Sequence, residues 1–355
     1  MQPKNRLNED EAKVNANIGR VRARGFRLRD DHVTLSHGAG GKASAALIAH
    51  VFQEAFGNPE GDAAIAEVTG MRVALSTDSY VVNPIFFPGG SIGDLAVNGT
   101  VNDLAMMGAT HPSITASFIL EESLEIETLK KVVADMKAAA EAAGVNIVAG
   151  DTKVVPKGSA DKLYITTAGT GGTDLTLGYQ EVKVGDQVIC SGPIADHGMA
   201  VMMARGDLAI SAPIESDTRA LNGAVDKLTE AATVHFMRDA TRGGVATVLN
   251  ELAHGSGLGL VLDDDSIPVR DMTRAACDML GIDPLYVANE GTFLAVVDPA
   301  DTEAAVTALH EAGFEGATRI GEVAEEPAGA VVLVTGFGGT RMVDMLVGDP
   351  LPRIC

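Results

Sequence analysis

The spacing of apolar residues divides the first half of the chain into helices and strands. Apolar positions recur at helical spacing over 43–56, 92–107 and 126–143, which predicts three amphipathic helices. Short apolar runs bounded by turn-forming residues predict strands at 32–36, 73–76, 113–119, 146–149 and 163–168. The string Gly-Thr-Gly-Gly at 169–172 predicts the end of a first domain.

A second region repeats this mixture of elements. The pattern predicts strands at 185–190, 258–262, 292–297 and 330–334, and helices at 198–204, 220–232, 243–253 and 270–280. Neither half alternates strictly between strand and helix, so mixed α+β layers are favoured over a doubly wound sheet. We therefore expect an α+β protein with domains at 32–172 and 173–347, an N-terminal extension at 1–31 and a tail at 348–355.

Composition and charge narrow the functional classes. The chain has 355 residues, of which 46% are hydrophobic and 21% charged, as is typical of globular proteins with two domains. No apolar run approaches the ~18 residues that span a membrane, and the N-terminus lacks a secretory pattern. A net charge of −21 argues against nucleic-acid binding. We expect a cytoplasmic protein with neither nucleic-acid nor membrane partners.

The N-terminal extension differs in charge from the rest of the chain. Up to Arg29 it carries eight basic and three acidic residues. We expect a disordered extension, with a docking arm for an acidic surface as the alternative.

The last residue of the chain is a cysteine. Cys190, Cys277 and Cys355 form no CxxC pair, so neither a zinc site nor a disulfide framework is indicated. Pro350 and Pro352 keep the segment before Cys355 extended. From Gly348 the tail spans roughly 25 Å at about 3.3–3.6 Å per residue, which predicts a mobile tether carrying a reactive thiol.

The terminal carboxylate beside Cys355 should disfavour the thiolate. We expect a pKa at or above the ordinary ~8.5 for this thiol. The thiol then needs a cation to become a good nucleophile, and Arg353 or a partner's site is the candidate source.

Three aspartates suggest a metal–nucleotide site. Asp78 and Asp151 follow predicted strands, while Asp103 lies in an apolar helix, where an unpaired carboxylate is costly. Carboxylates at strand ends converge on one sheet edge, and Mg²⁺ takes such ligands together with nucleotide phosphates. Capping and turn-forming roles are the alternative, and they explain Asp151 well but Asp103 poorly.

Other segments offer phosphate and proton chemistry. The segment at 38–42 reads Gly-Ala-Gly-Gly-Lys; a P-loop would require glycine at Ser36, but a glycine turn can still present N–H groups to phosphate beside Lys42. A plain strand-to-helix turn is the alternative. The segment 238–244 adds Asp239, two arginines and two glycines at a helix start, which suits anion binding.

Two further candidates concern proton transfer. Glu290 precedes an apolar strand, where it would act as a general base if burial raised its pKa; a charge on an edge strand is the alternative. The Asp-His-Gly segment at 196–198 favours a turn and a helix cap over a proton relay.

Taken in order, these motifs resemble one superfamily. The segments 38–42, 76–79, 88–90, 102–105, 150–155, 196–198, 238–244 and 289–291 resemble the aminoimidazole-ribonucleotide-synthetase-like (PurM-like) ATP-dependent enzymes. The terminal Pro-Arg-Ile-Cys is typical of one branch, the HypE family of carbamoyl dehydratases in nickel–iron hydrogenase maturation. The resemblance covers 32–355. Ala195 and Ser91 depart from the glycine and the acidic or amide residue expected at their positions.

The resemblance implies a definite reaction. A carbamoyltransferase, HypF, would load a carbamoyl group onto Cys355, and ATP would phosphorylate the amide oxygen. Loss of phosphate leaves a thiocyanate, whose cyanide passes to iron on a HypC–HypD scaffold. Glu290 and Lys153 are the implied groups for proton removal. The resemblance also implies a homodimer formed through the N-terminal sheets.

The resemblance extends to individual nucleotide and metal residues. Contacts to ATP are expected from Gly40, Gly41, Lys42, Thr77, Asp78, Asn102, Asp103, Asp151 and Thr152. Ligands for Mg²⁺ are expected from Asp78, Asp103, Asp151 and Asp239.

Two other functions compete with this one. A selenophosphate synthetase of the same superfamily needs a reactive cysteine near the N-terminus, yet no cysteine precedes Cys190. A non-catalytic maturation scaffold with a docking tail would leave the aspartates without a task, and the tail has no CaaX pattern for lipid attachment.

Overall fold

The structure, a computed structural model, describes residues 27–28, 30–56, 63–206, 212–347 and 353–355. Most of the extension predicted at 1–31, and residues 348–352 of the tail, lie outside the described residues. Two mixed helix-and-sheet units make up the described fold, which confirms the predicted α+β class.

The elements are as follows, in chain order. The strands are β1 (Ala64–Val68), β2 (Met71–Tyr80), β3 (Phe86–Phe87), β4 (Gly90–Ser91), β5 (Thr110–Glu121), β6 (Asn146–Val155), β7 (Leu163–Gly172), β8 (Gln187–Cys190), β9 (Val234–Asp239), β10 (Gly259–Asp263), β11 (Phe293–Val297), β12 (Thr318–Ala324), β13 (Val331–Val334) and β14 (Thr340–Val343). The helices are α1 (Lys42–Leu47), α2 (Ile92–Met106), α3 (Ile126–Ala143), α4 (Asp196–Ala204), α5 (Asn222–Ala231), α6 (Gly244–Ser256), α7 (Asp271–Leu280) and α8 (Thr302–Glu311). A π-helical segment, Ile48–Gln53, and a last turn, Glu54–Phe56, extend α1.

The first unit is a five-stranded sheet covered on one face by helices. Its strand order is β1-β2-β7-β5-β6, antiparallel throughout except for the parallel pair β5–β6. Helix α2 packs on the sheet and is apolar on nearly all sides, as expected for a helix buried between layers. Gly99 in this helix faces the Tyr80 hydroxyl, and a Cβ there would lie 2.2 Å from that oxygen.

The second unit is a seven-stranded sheet with helices on both faces. Its order is β14-β13-β10-β12-β8-β11-β9. All five residues of β11 are buried because Leu294 and Val296 join the core under α6, while Phe293, Ala295 and Val297 join the core under α5 and α8. Met106 of α2 belongs to that second core, so α2 connects the two units.

The structure corrects several sequence predictions. The strand predicted at 32–36 is wrong: Leu35–Gly38 is a 3₁₀ turn, started where the Thr34 N–H donates to His37 Nδ1 at 3.0 Å. The strands containing Asp78 and Asp151 are longer than predicted, because Asp78 still pairs with Thr167 and Asp151 with Ser117. The glycines at 169–172 are the last part of β7.

The outer face of the N-terminal sheet is exposed and carries mostly threonine and serine side chains. Leu75 and Ile119 on that face are each more than one-third exposed, and the edge strand β6 is exposed over nearly its whole length. Among the helices of the described residues, none has the length and apolarity needed to cross a membrane.

Candidate active site

The end of the chain lies inside the molecule, beside the end of β2. The Val81 N–H donates to the terminal carboxylate of Cys355 at 3.1 Å, and the Asn83 N–H donates to the Arg353 carbonyl oxygen at 3.4 Å. Ile354 is 2% exposed and belongs to the core of the N-terminal unit. Cys355 is also buried, so the terminal thiol is enclosed where the two units meet.

Four charged side chains act on the Cys355 thiol. Burial raises the pKa of Cys355 to about 12; the carboxylates of Glu290, Asp78 and Asp239 add to this effect, and the Arg242 guanidinium opposes it. The predicted direction of the shift is therefore confirmed, although burial rather than the terminal carboxylate is the main cause. Arg242 is the cation near the thiol. Arg353, which the sequence suggested for this role, instead pairs with Asp161 at 2.8 Å.

Glu290 lies at the centre of this group. Its pKa is raised well above the usual range, first by burial and then by Asp239, Asp78 and Asp217. A carboxyl with a raised pKa holds and releases a proton closer to neutral pH than an ordinary one, which suits a general base. The environment therefore agrees with the role predicted for Glu290.

The loop that carries Glu290 is held by Asp217. The Asp217 carboxylate accepts hydrogen bonds from the N–H groups of Glu290 and Gly291, each at 3.0 Å, and from the Thr292 hydroxyl at 3.1 Å. A Cβ at position 291 would lie 1.8 Å from the Asp217 carbonyl oxygen, so the close approach requires glycine. Asp217 belongs to no motif, so this role could not be predicted from the sequence.

Asp78 and Asp103 face the same buried space. The pKa of Asp78 is raised by burial, with Arg242 opposing. Asp103 accepts a hydrogen bond from the Ser76 hydroxyl at 2.5 Å, which supplies the partner expected for a carboxylate in an apolar helix. Both carboxylates, together with Glu290, raise the pKa of the buried Tyr80 hydroxyl.

Residues 151–153 lie away from this buried group of charged side chains. Asp151, Thr152 and Lys153 are exposed on the edge strand β6, where Lys153 pairs with Asp151 at 2.5 Å and lowers its pKa. Strands β7 and β5 separate β6 from the strand of Asp78, a distance of roughly 14 Å at about 4.8 Å per strand. The predicted convergence of Asp78 and Asp151 at one sheet edge therefore does not occur within one chain.

The glycine segment packs against the second unit. Gly40 adopts a φ of +75°, and a Cβ there would lie 2.7 Å from the Arg242 carbonyl oxygen. At Gly41 a Cβ would lie 2.4 Å from the Leu346 carbonyl oxygen. The Lys42 ammonium pairs with Asp344 at 2.6 Å. These contacts hold the glycine segment against the second unit.

A cavity of about 310 Å³ lies beneath this segment. Its lining includes Gly38, Arg242, Gly243, Tyr286 and Cys355, so the terminal thiol borders a space next to the glycine turn. Gly243, which has a φ of +79°, lines this cavity and directly precedes the first residue of helix α6. A helix start and a guanidinium beside one cavity suit an anionic ligand.

Two residues predicted to contact the nucleotide make hydrogen bonds within the chain. Thr77 lies on the other face of β2 from Asp78, and its hydroxyl donates to the Thr167 carbonyl oxygen at 3.0 Å. Buried Asn102 donates to the carbonyl oxygens of Arg219 and Glu290, and its own oxygen accepts the Leu221 N–H at 2.8 Å. Asn102 thus ties α2 to the Glu290 loop, a positioning role in place of an open nucleotide contact.

The Asp-His-Gly segment has two separate roles. Asp196 is the first residue of α4, but its side chain does not cap the helix: the carboxylate accepts the Thr273 hydroxyl and pairs with Arg270, so the predicted helix cap is wrong. Ala195 before it has a φ of +76°, the left-handed conformation that explains why glycine was expected there. His197 instead contacts the tail, through the Ile354 carbonyl oxygen at 3.0 Å.

Comparisons with known proteins agree with this architecture. The chain matches two family models, the N-terminal domain of AIR synthase related protein over residues 60–173 and its C-terminal domain over 183–334. The carbamoyl dehydratase HypE of Rhodobacter capsulatus is 47% identical over 342 residues, covering 92% of this chain and 99% of that protein.

Two solved structures are similarly close. A HypE–HypF complex gives a TM-score of 0.79 at 45% identity, covering 85% of this chain and 100% of the other. A HypE structure in complex with ATP gives 0.77 at 44% identity, covering 91% and 100%.

Proposed function

The chain belongs to the HypE family of carbamoyl dehydratases, and we propose that it converts the S-carbamoylated thiol of its own Cys355 to a thiocyanate at the expense of ATP. The observation that carries this proposal is the position of the terminal thiol. It is buried beside Glu290, Asp78 and Arg242, in a cavity that borders the glycine turn. The substrate thiol, Glu290 and Arg242 therefore belong to one polypeptide.

The reaction follows from the chemistry of an amide. A carbamoyl group on Cys355 carries an amide oxygen that cannot leave until it is phosphorylated. Transfer of the γ-phosphoryl group to that oxygen gives ADP, and the C–O bond then breaks with release of inorganic phosphate. The two N–H protons leave as nitrogen forms its triple bond to carbon. Glu290, whose charge acts on the thiol, accepts one of these protons, and the departing phosphate carries the other.

The ATP phosphates fit the cavity beside Cys355. Arg242 supplies positive charge and the start of α6 at Gly243 supplies backbone N–H groups, both of which favour phosphate. No group of three His, Cys, Asp or Glu side chains among the described residues could hold a metal by itself. Mg²⁺, however, normally takes one or two carboxylates together with nucleotide phosphates. Asp78 and Asp103 are the candidate carboxylates, although neither lines this cavity, and the ion would neutralise phosphate charge.

A homodimer accounts for the exposed N-terminal sheet. Leu75 and Ile119 lie on the outer face of this sheet and are each more than one-third exposed. Asp151 and Lys153 lie on the exposed edge strand, so a second copy covering this sheet would receive them. We infer that each active site combines Asp78 of one copy with Lys153 of the other.

Subunit mixing tests this arrangement. Asp78→Asn and Lys153→Met chains should each be inactive alone, while their mixed dimers regain one intact site. About a quarter of the wild-type activity should return on random mixing. No recovery in verified mixed dimers would place both residues in one chain's site.

The proposed partners act before and after the dehydration, as carbamoyl donor and as cyanide acceptor. A relative has been solved as a HypE–HypF complex, which supports HypF as the carbamoyl donor. The buried tail must leave its docked position to be loaded. The cyanide product would pass to iron held by HypC and HypD.

ATP hydrolysis tests the proposed activity against a scaffold role. The chain loaded with a carbamoyl group by HypF, then separated from it, should hydrolyse about one ATP per loaded Cys355, since one phosphoryl transfer serves one amide. Cys355→Ala treated in the same way should show none. Equal hydrolysis by loaded and unloaded chains would contradict the role of the tail as substrate.

A further inference from the structure

The docked tail is recognised mainly through its backbone. The Arg353 carbonyl oxygen accepts hydrogen bonds from Asn83 and Arg205, the Ile354 carbonyl oxygen accepts one from His197, and the terminal carboxylate of Cys355 accepts one from Val81. These contacts fix the register of the tail without using the Cys355 sulfur. The same contacts therefore remain available when the thiol is free, carbamoylated or cyanated.

The contact with Ser216 determines which ring nitrogen of His197 carries the proton. The Thr218 N–H can only donate, so the Ser216 oxygen accepts it at 3.1 Å. The Ser216 hydroxyl hydrogen then points to His197 Nδ1 at 2.8 Å, which leaves the ring proton on Nε2 to donate to Ile354. Burial lowers the pKa of His197, consistent with this neutral form. The ring therefore presents one fixed donor to the tail.

The arginine contacts lie closer to the surface. Arg205 donates from Nη2 to the Arg353 carbonyl oxygen at 2.6 Å and from Nε to that of Asn83 at 2.7 Å. The Arg353 side chain donates to the Val81 carbonyl oxygen at 3.1 Å and pairs with Asp161 at 2.8 Å. The Arg353 and Asp161 side chains are 31% and 41% exposed, so water can compete for this pair.

We propose that His197, Arg205 and Asp161 form a tail latch, which sets how long Cys355 stays at its own active site and how often it is presented to the carbamoyl donor. The two destinations rest on the function proposed above. A stronger latch would favour dehydration and slow loading, whereas a weaker one would do the reverse. The latch residues position the tail and do not touch the reacting atoms.

Thiol labelling measures docking of the tail without carbamoylation or ATP. Docked Cys355 is buried and its thiol is protonated, so iodoacetamide should react with the undocked tail. In the full-length chain, Arg205→Ala should raise the labelling rate of Cys355 roughly tenfold, since it removes charged hydrogen bonds. Asp161→Ala should raise it about two- to fivefold, as expected for a half-exposed pair. Unchanged rates in both variants would overturn the proposal.

Matched controls separate docking from folding. Glu230→Gln removes the carboxylate of an exposed pair with Lys227 on α5 and should leave labelling unchanged. Buried Cys190 and Cys277 report unfolding within the same sample. Labelling that rises equally at all three cysteines would show loss of the fold rather than opening of the tail, and would count against the latch.

A double-mutant cycle tests the ion pair itself. Once Arg353→Ala has removed the partner, adding Asp161→Ala should cause no further increase in labelling. Effects that multiply in the double variant would contradict the pairing. For His197, Ala should open the tail, while Gln, which keeps a donor near the Nε2 position, should restore much of the docking. Equal labelling of the Ala and Gln variants would remove His197 from the latch.

Loading experiments then connect the latch to function. Arg205→Ala should gain the carbamoyl group faster than wild type and lose water from it more slowly. If the labelling rates change as expected but the wild-type chain never forms thiocyanate, the latch holds and the proposed function fails. If labelling changes while loading and dehydration both stay at wild-type rates, the latch does not control the exchange.

Discussion

Shortening Ile354 tests how tightly the tail is docked. The side chain is 2% exposed and shares a core with Val82, Phe87 and Ala288. Removing buried carbons costs about 1 kcal/mol for Ile→Val and 2–5 kcal/mol for Ile→Ala. Because Ile354 is the penultimate residue, this loss should act on docking of the tail rather than on the rest of the fold. The docking equilibrium should fall about fivefold for Val and roughly 30-fold or more for Ala.

Iodoacetamide labelling of Cys355, quantified by mass spectrometry, reads this equilibrium directly. We expect labelling about fivefold faster in Ile354→Val and roughly 30-fold or more in Ile354→Ala, with the melting temperature unchanged. Ile126→Val, the same change at a residue that is 65% exposed, is the matched control and should have no effect. Wild-type labelling in Ile354→Ala would refute the docked position of the tail.

Four further predictions concern the active site. Glu290→Gln should bind ATP and accept the carbamoyl group but stall before thiocyanate; Asp239→Asn removes a negative neighbour, so the pKa of Glu290 should fall and the acid limb of the pH–rate profile should move to lower pH. An unmoved limb would exclude Glu290 as its source. Asp78→Asn should abolish Mg·ATP binding in calorimetry, and an unchanged affinity would contradict the site. One glycine added after Cys355 displaces the carboxylate from the Val81 N–H, so dehydration should suffer more than ATP binding; an equal loss in both would argue against register control.

Most helices were predictable because their pattern is local, although α8 was not predicted. The long helix predicted at 126–143 has those bounds, and the one predicted at 92–107 ends one residue earlier. Strand ends depend on pairing with distant strands, which a local pattern does not contain. Asp78 and Asp151 therefore appeared to follow strands that in fact continue beyond them.

The candidate site was predictable where chemistry alone singles out a residue. A terminal thiol has little structural use, and a carboxylate in an apolar helix needs a partner; the structure buries Cys355 and pairs Asp103 with Ser76. The supporting groups were not predictable, because Asp217 and Arg205 act through contacts distant in sequence and belong to no motif. The separation of Asp151 from Asp78 likewise depends on strand order.

The intact mass of the chain after loading tests the central claim most directly. The protein is incubated with HypF, carbamoyl phosphate and ATP, alongside Cys355→Ala, and the modified residue is located by peptide mapping. The account predicts one added carbamoyl group on Cys355, followed by loss of one water to give the thiocyanate, and no change in Cys355→Ala. A carbamoyl or cyano group on Cys190 or Cys277, or a wild-type chain that gains a carbamoyl group and never loses water, would contradict it.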